Sequence, residues 1–204
     1  VVDPRGGTTT DHVWLDYAEL KIETALSSEE DGEILSPAIL WLGLKNSDDQ
    51  GTSFDLKTEV YINDTLISDG ITRCITGVTR NPSRAKEIAV PFGPTTDSGV
   101  EASDLLSLKV LTRIGTNPND SKCPGHNNAV GLRLYYDAVN RPSRFGAEIA
   151  PYPLTDLFLH TDGTKFLDDM APTGTTTKFQ DSSSLNFSGG NPWKEIGTWI
   201  MTIP

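Results

Sequence analysis

Three aspartates, Asp48, Asp49 and Asp55, fall inside or beside one short polar run, LKNSDDQGTSFDL, residues 44–56. Hard carboxylate oxygens held this close are what a calcium ion takes up, so calcium is the cofactor this cluster could hold. The spacing is not that of the EF-hand loop, which wants Gly at its sixth position and Glu at its twelfth. Glycosidase carboxylates must face each other across a gap of about 5–10 Å, which neighbouring Asp48 and Asp49 do not ensure. The chain holds 28 acidic residues, so two close together need no function. The simplest reading is a turn, with Asx side chains bonding nearby backbone N–H groups and Gly51 at positive φ.

A second polar run, NPNDSKCPGHNNAVGLRLYYD (117–137), holds Cys123, His126, Asn127 and Asn128. A Cys–His nucleophile would need a third group to orient the base and a site for an oxyanion. The sequence offers neither. Cys74 and Cys123 are the only cysteines. An even pair in an acidic, turn-rich chain points to a disulfide and an oxidising compartment, with two buried free thiols as the alternative. The histidines His12, His126 and His160 are far apart and form no zinc motif. No Gly-rich phosphate loop or nucleophile elbow is present. These residues predict no enzyme.

Tyr135, Arg133, Arg141 and Asn127 are the candidate ligand-binding set. Alternation over 130–137 puts Tyr135 opposite the face of Leu132, Leu134 and Tyr136. An aromatic ring beside Arg and Asn could serve as a sugar platform, because rings stack on apolar sugar faces while polar neighbours bond hydroxyls. The plainer reading pairs the arginines with acids and packs the tyrosine on a sheet.

The elements that must position these residues are strands. Phe54, Leu56, Val60 and Ile62 alternate with Asp55, Lys57, Glu59 and Tyr61, as a half-buried strand requires. The same pattern recurs at 14–22, 104–114 and 130–137. AILWLGL (38–44) and IGTWIMTI (196–203) are more continuously apolar and read as strands covered on both faces. Further strands are expected at 71–78, 86–92, 156–160, 164–168 and 176–180, with one helical turn near 83–88. Asn63-Asp64 between two apolar runs is a hairpin signal. No segment of a dozen residues has helical periodicity. The expected fold is all-β: an antiparallel β-sandwich, immunoglobulin-like or jelly-roll. It divides into an N-terminal arm and first strand (1–23), the main sandwich (24–150), and C-terminal strands (151–204) joining the same sandwich or standing as a small unit.

At 204 residues and 36% hydrophobic, the chain suits one large domain of short strands and turns. A net charge of −11 repels phosphate backbones and argues against nucleic-acid partners. No run approaches the roughly 18 apolar residues of a membrane span, so no insertion is expected. The start, Val1-Val2-Asp3-Pro4 without Met, suggests a processed or excerpted form.

The termini suggest association. Trp199, Met201 and Ile203 fall on one face and Ile196 and Ile200 on the other, and a strand apolar on both sides needs cover on both or invites partners. With Trp14 and Tyr17 of the arm, Trp199 and Met201 are the expected subunit contacts, and strand addition is the expected mechanism.

The segments WLGLKNSDDQGTSFDLKTEVYIN, LLSLKVLTRIG, CPGHNNAVGLRLYYD and RPSRFGAEI resemble a group of secreted bacterial β-domain proteins with a Gly-Leu-Lys-Asn-Ser-Asp-Asp turn and a Gly-His-Asn strand entry. The likeness spans about residues 38–200. It implies an exported bacterial protein and carries over no catalytic residue. The expected function is therefore non-enzymatic: an extracellular or cell-surface structural or adhesive protein, forming a homo-oligomer or filament. The alternative is a carbohydrate-binding module with a glycan partner.

Overall fold

A computed structural model describes residues 34–96, 100–149, 152–159, 166–168 and 178–203. The chain divides into two units, 1–31 and 32–204, and only the second contains described residues. The expected arm, the strand at 14–22 and the contacts assigned to Trp14 and Tyr17 lie outside them. Among the described residues there is no α-helix, and every strand pairing is antiparallel.

The smaller of the two principal sheets has four strands: β3 (Phe54–Ile62), β4 (Thr65–Ile75), β6 (Leu105–Ile114) and β14 (Lys194–Thr202). Their order is β14-β6-β3-β4. β3 and β4 form the expected hairpin. Asn63 and Asp64 take φ of 45° and 66°, as a two-residue turn matched to strand twist demands. Alternation decides the inner face, where Phe54, Leu56, Val60, Leu106, Leu108 and Val110 are buried.

The larger sheet has eight strands. β1 (Ile34–Leu35) and β2 (Ala38–Leu44) follow one another along a line. β5 (Lys86–Val90) pairs with β2, while β8 (Leu132–Tyr136) and β9 (Arg144–Ile149) also pair with β2 at successive positions. β9 continues past β2 to pair with β1. β8 and β9 thus form one interrupted line, with residues 137–142 leaving the sheet between them. The interruption leaves a gap in the ladder between the Trp41 N–H and the carbonyl of its partner Tyr135. Ser143, fully buried, fills it: its hydroxyl accepts from the Trp41 N–H at 3.0 Å and donates to the Tyr135 carbonyl at 2.6 Å. Beyond β9 come β10 (Tyr152–Leu159) and β11 (Phe166–Asp168), and β12 (Lys178–Asp181) pairs with β8. A small pair, β7 (Asn128–Ala129) with β13 (Leu185–Asn186), completes the order.

One hydrophobic cluster draws from both principal sheets: Leu40, Leu42 and Leu44 from β2, Leu132 and Leu134 from β8, and Trp199 from β14 join the inner residues of β3 and β6. Two sequence expectations need correction here. β2 is not equally covered on both faces, since Ile39 and Trp41 are only half-buried. β14 is not a strand apolar on two opposite faces. A register shift between Glu195 and Gly197 breaks the alternation and turns Ile196 inward with Trp199, leaving Ile200 exposed. The helical turn expected near 83–88 is a single 3₁₀ turn at Pro82–Arg84, capped by the Asn81 side chain.

Candidate functional site

The acidic run is a turn. Asn46 caps a 3₁₀ turn at Ser47–Asp49 by accepting from the Asp48 N–H, and Gly51 sits at φ 95°. The three aspartates do different work. Asp48 is exposed. Asp49 is buried and accepts from the Val130 N–H at 2.8 Å, tying this turn to the start of β8. Asp55 lies on β3. The three do not gather round a common point: among the described residues, the group whose ligand atoms lie within 4.8 Å of one another is Asp55, Cys74 and Cys123. Those cysteines form a disulfide, so neither offers a thiolate.

Asp55 is 0% exposed and its carboxylate is saturated with donors. It accepts from the Cys74 N–H at 3.0 Å, the Thr116 N–H at 3.0 Å and the Thr116 hydroxyl at 2.7 Å. Arg113 Nε lies at 3.0 Å and Arg73 Nη1 at 3.5 Å. The local backbone explains the Cys74 bond. Between the pairs Phe54/Ile75 and Leu56/Thr72, β4 carries one extra residue, Arg73 and Cys74 standing against Asp55, and Cys74 adopts φ 53°. A bulge of this kind leaves its N–H without a ladder acceptor, and Asp55 supplies one. A buried charge is tolerated only when paired and hydrogen-bonded, and here both conditions hold.

Cys74 and Cys123 are disulfide-bonded, as the cysteine pair predicted. The bridge fastens the loop after β6 to the bulge of β4. The loop also packs on the acidic turn. A Cβ on Gly125, at φ 123°, would lie 2.3 Å from the Gly51 carbonyl, so only glycine fits there. Ser53 donates to the Pro124 carbonyl. Arg113 stacks over Trp193 with its guanidinium 4.4 Å from the ring centre, roofing the same end of the sheet. Turn, loop, bulge and stacked arginine form one continuous assembly around Asp55. His126 is exposed at its rim.

The ligand-binding set is only partly assembled. Tyr135 is on the outer face of β8, as alternation required, but it is 1% exposed and cannot be a stacking platform. Its ring lies across Gly43, where an added Cβ would sit 2.5 Å from it, and burial pushes its phenol pKa up. The aromatic that is exposed is Phe179 on β12, paired in register with Tyr135, which pairs in turn with Trp41. Arg133 stacks on Phe179 at 4.3 Å and bonds Asp181 at 3.0 Å. Arg141 turns to Asn140, and Asn127 accepts from Lys122 on the other loop. Phe179 was not singled out in the sequence because its place in this row depends on strand register, which alternation alone does not reveal.

Of the expected subunit contacts, Trp199 is fully buried inside its own chain, edge-on to Tyr136 at 5.6 Å, and so is closed to a second copy. Met201 packs half-buried against the core. No family model, no curated protein and no solved structure matches this chain.

Proposed function

We propose that this chain is a non-enzymatic, extracellular β-sandwich that acts as a structural or adhesive subunit, assembling with its own copies at a microbial surface by strand addition. The observation that carries this reading is the edge of β14, which is bonded on one side to β6 and, among the described residues, to no strand on the other. An open edge presents unpaired N–H and C=O groups to a donor strand. The donor would be the arm, residues 1–23, whose alternation over 14–22 suits a strand. The disulfide and the resemblance to secreted bacterial β domains support an exported location. Removal of residues 1–23 is expected to abolish assembly measured by light scattering; assembly at the full-length level would overturn strand donation by the arm.

A second reading, a carbohydrate-binding module, is favoured by one observation: the row Trp41–Tyr135–Phe179 ends in a ring that is 45% exposed beside Arg133. Saturable polysaccharide binding lost in Phe179→Ala would put this reading first. An empty glycan array would remove it.

A further inference from the structure

The outer face of the β14-β6-β3-β4 sheet has apolar residues at both edges of one row and opposite charges on its two middle strands in the next. Cross-strand pairing sets its rows. One row runs Ile200–Ser107–Tyr61–Leu66, and the next runs Thr198–Lys109–Glu59–Asp69. A third carries Leu111, Lys57 and Ile71. Leu66, Ile71, Leu105 and Ile200 are 36–47% exposed, and they account for four of the seven exposed large apolar side chains among the described residues. A concentration of this sort on one sheet face marks an interaction surface.

We propose that this face is where two copies of the chain meet, back to back, about a two-fold axis running along the strands between β6 and β3. The proposal rests on the self-assembly reading above and names a second surface for it. Such an axis exchanges β6 with β3 and β14 with β4. It therefore lays Ile200 of each copy on Leu66 of the other, twice, at the flanks. In the adjoining row it lays Lys109 on Glu59, again twice. In these two rows apolar meets apolar and positive meets negative, as an isologous interface demands. In the third, Lys57, whose charge is taken by Glu59 and Asp69 of its own chain, lays its methylene stem on Leu111. A lipid or nucleic-acid surface would not match a face whose central row holds both signs of charge.

The size of the face sets the strength. Four strands about 4.8 Å apart, each contributing about six residues at roughly 3.3 Å beyond the sealed Asp55 end, offer roughly 400 Å² per copy. That is in the range of small, transient interfaces, so the dimer is weak and dissociates on dilution.

Sedimentation velocity of the full chain over a dilution series tests this. The expected result is a monomer–dimer equilibrium whose Kd rises about tenfold or more in Ile200→Lys and in Leu66→Lys. Lys109→Glu is expected to weaken it, and Lys109→Glu with Glu59→Lys to restore it. Because Ile200 and Leu66 are exposed, circular dichroism should show both variants folded. A wild type that is monomeric throughout, or a dimer indifferent to Ile200→Lys, overturns the proposal. The arm is separable: if removing 1–23 abolishes higher assembly and the dimer persists, both surfaces stand. If Ile200→Lys yields monomers while removal of 1–23 changes nothing, this surface stands and strand donation falls.

Discussion

The two ends of one sheet face differ sharply. At the Asp55 end, the outer face of β3 and β6 is sealed by the loop after β6, the Cys74–Cys123 bridge and the Arg113–Trp193 stack. At the hairpin end, the same two strands show Tyr61 and Leu105 to solvent, with Leu66 and Ile200 beside them. The strands are continuous, so the difference lies in what covers them. Covering made a buried carboxylate possible at one end; its absence leaves apolar side chains available at the other. Stability should therefore be concentrated at the sealed end and association at the open one.

The largest effect is expected from Asp55→Ala. Removing one partner from a buried pair costs about 3–5 kcal/mol, because Arg113 and two backbone N–H groups are left without their acceptor. Urea denaturation measures it, and a loss below about 1 kcal/mol, the size of an exposed pair, would show that the end is not sealed. Next comes Cys74→Ser with Cys123→Ser. The bridge spans a sequence separation of 49, and loss of a bridge of this type costs about 2–4 kcal/mol. The same denaturation series checks it.

Midway between the ends, Lys57, Glu59, Tyr61 and Asp69 form a linked group, and its contribution should be smaller. Lys57 bonds Glu59 at 2.7 Å and pairs with Asp69 at 3.1 Å, and Tyr61 donates to Glu59 at 2.7 Å. Burial works against the charge on Glu59, but Lys57, Tyr61 and Lys109 outweigh it and hold the carboxyl below its usual value. The unfolded chain then takes up the proton first, so this stability is present above the ordinary carboxylate range and lost as pH falls through the lowered value. For Lys57, burial is likewise outweighed by Glu59 and Asp69, and its pKa is raised. Its contribution is present below the ordinary lysine value and lost as pH climbs past the raised one. Burial and the bond to Glu59 push Tyr61 up to about 12. Glu59→Gln should cost about 0.2–1 kcal/mol at neutral pH and nothing once both states are protonated. Thermal melts across pH check this. The smallest effect belongs to the open end. Ile200→Lys should leave the melting of the dilute monomer within about 0.5 kcal/mol of wild type.

Much of this contrast could be read from the sequence in part. Phe54 to Ile62 and Leu106 to Ile114 alternate cleanly, so both strands and their inner faces were evident. Asn63-Asp64 announced the hairpin, and the lone cysteine pair its bridge. The charge of Asp55 is plain in the sequence, yet its role depends on a bulge in β4 and on Thr116, 61 residues away. No local pattern encodes that meeting. Tyr135 was assigned the right face, but alternation says which side a residue takes and not whether that side is roofed. Ile196 and Ile200 looked equivalent until the irregularity at Glu195 parted them. Strand periodicity survives translation into structure; irregularities, which set the exceptions, do not show in it.

Ser143 has a consequence for how such a chain can vary. By supplying in one hydroxyl the bonds that a missing strand residue would have made, it lets residues 137–142 leave the sheet and return without disturbing β2. Evolution could lengthen or replace the exposed tip of that excursion at Val139 and Asn140, as long as Asp137 and Ala138 stay buried and a small hydroxyl side chain remains to stitch the seam.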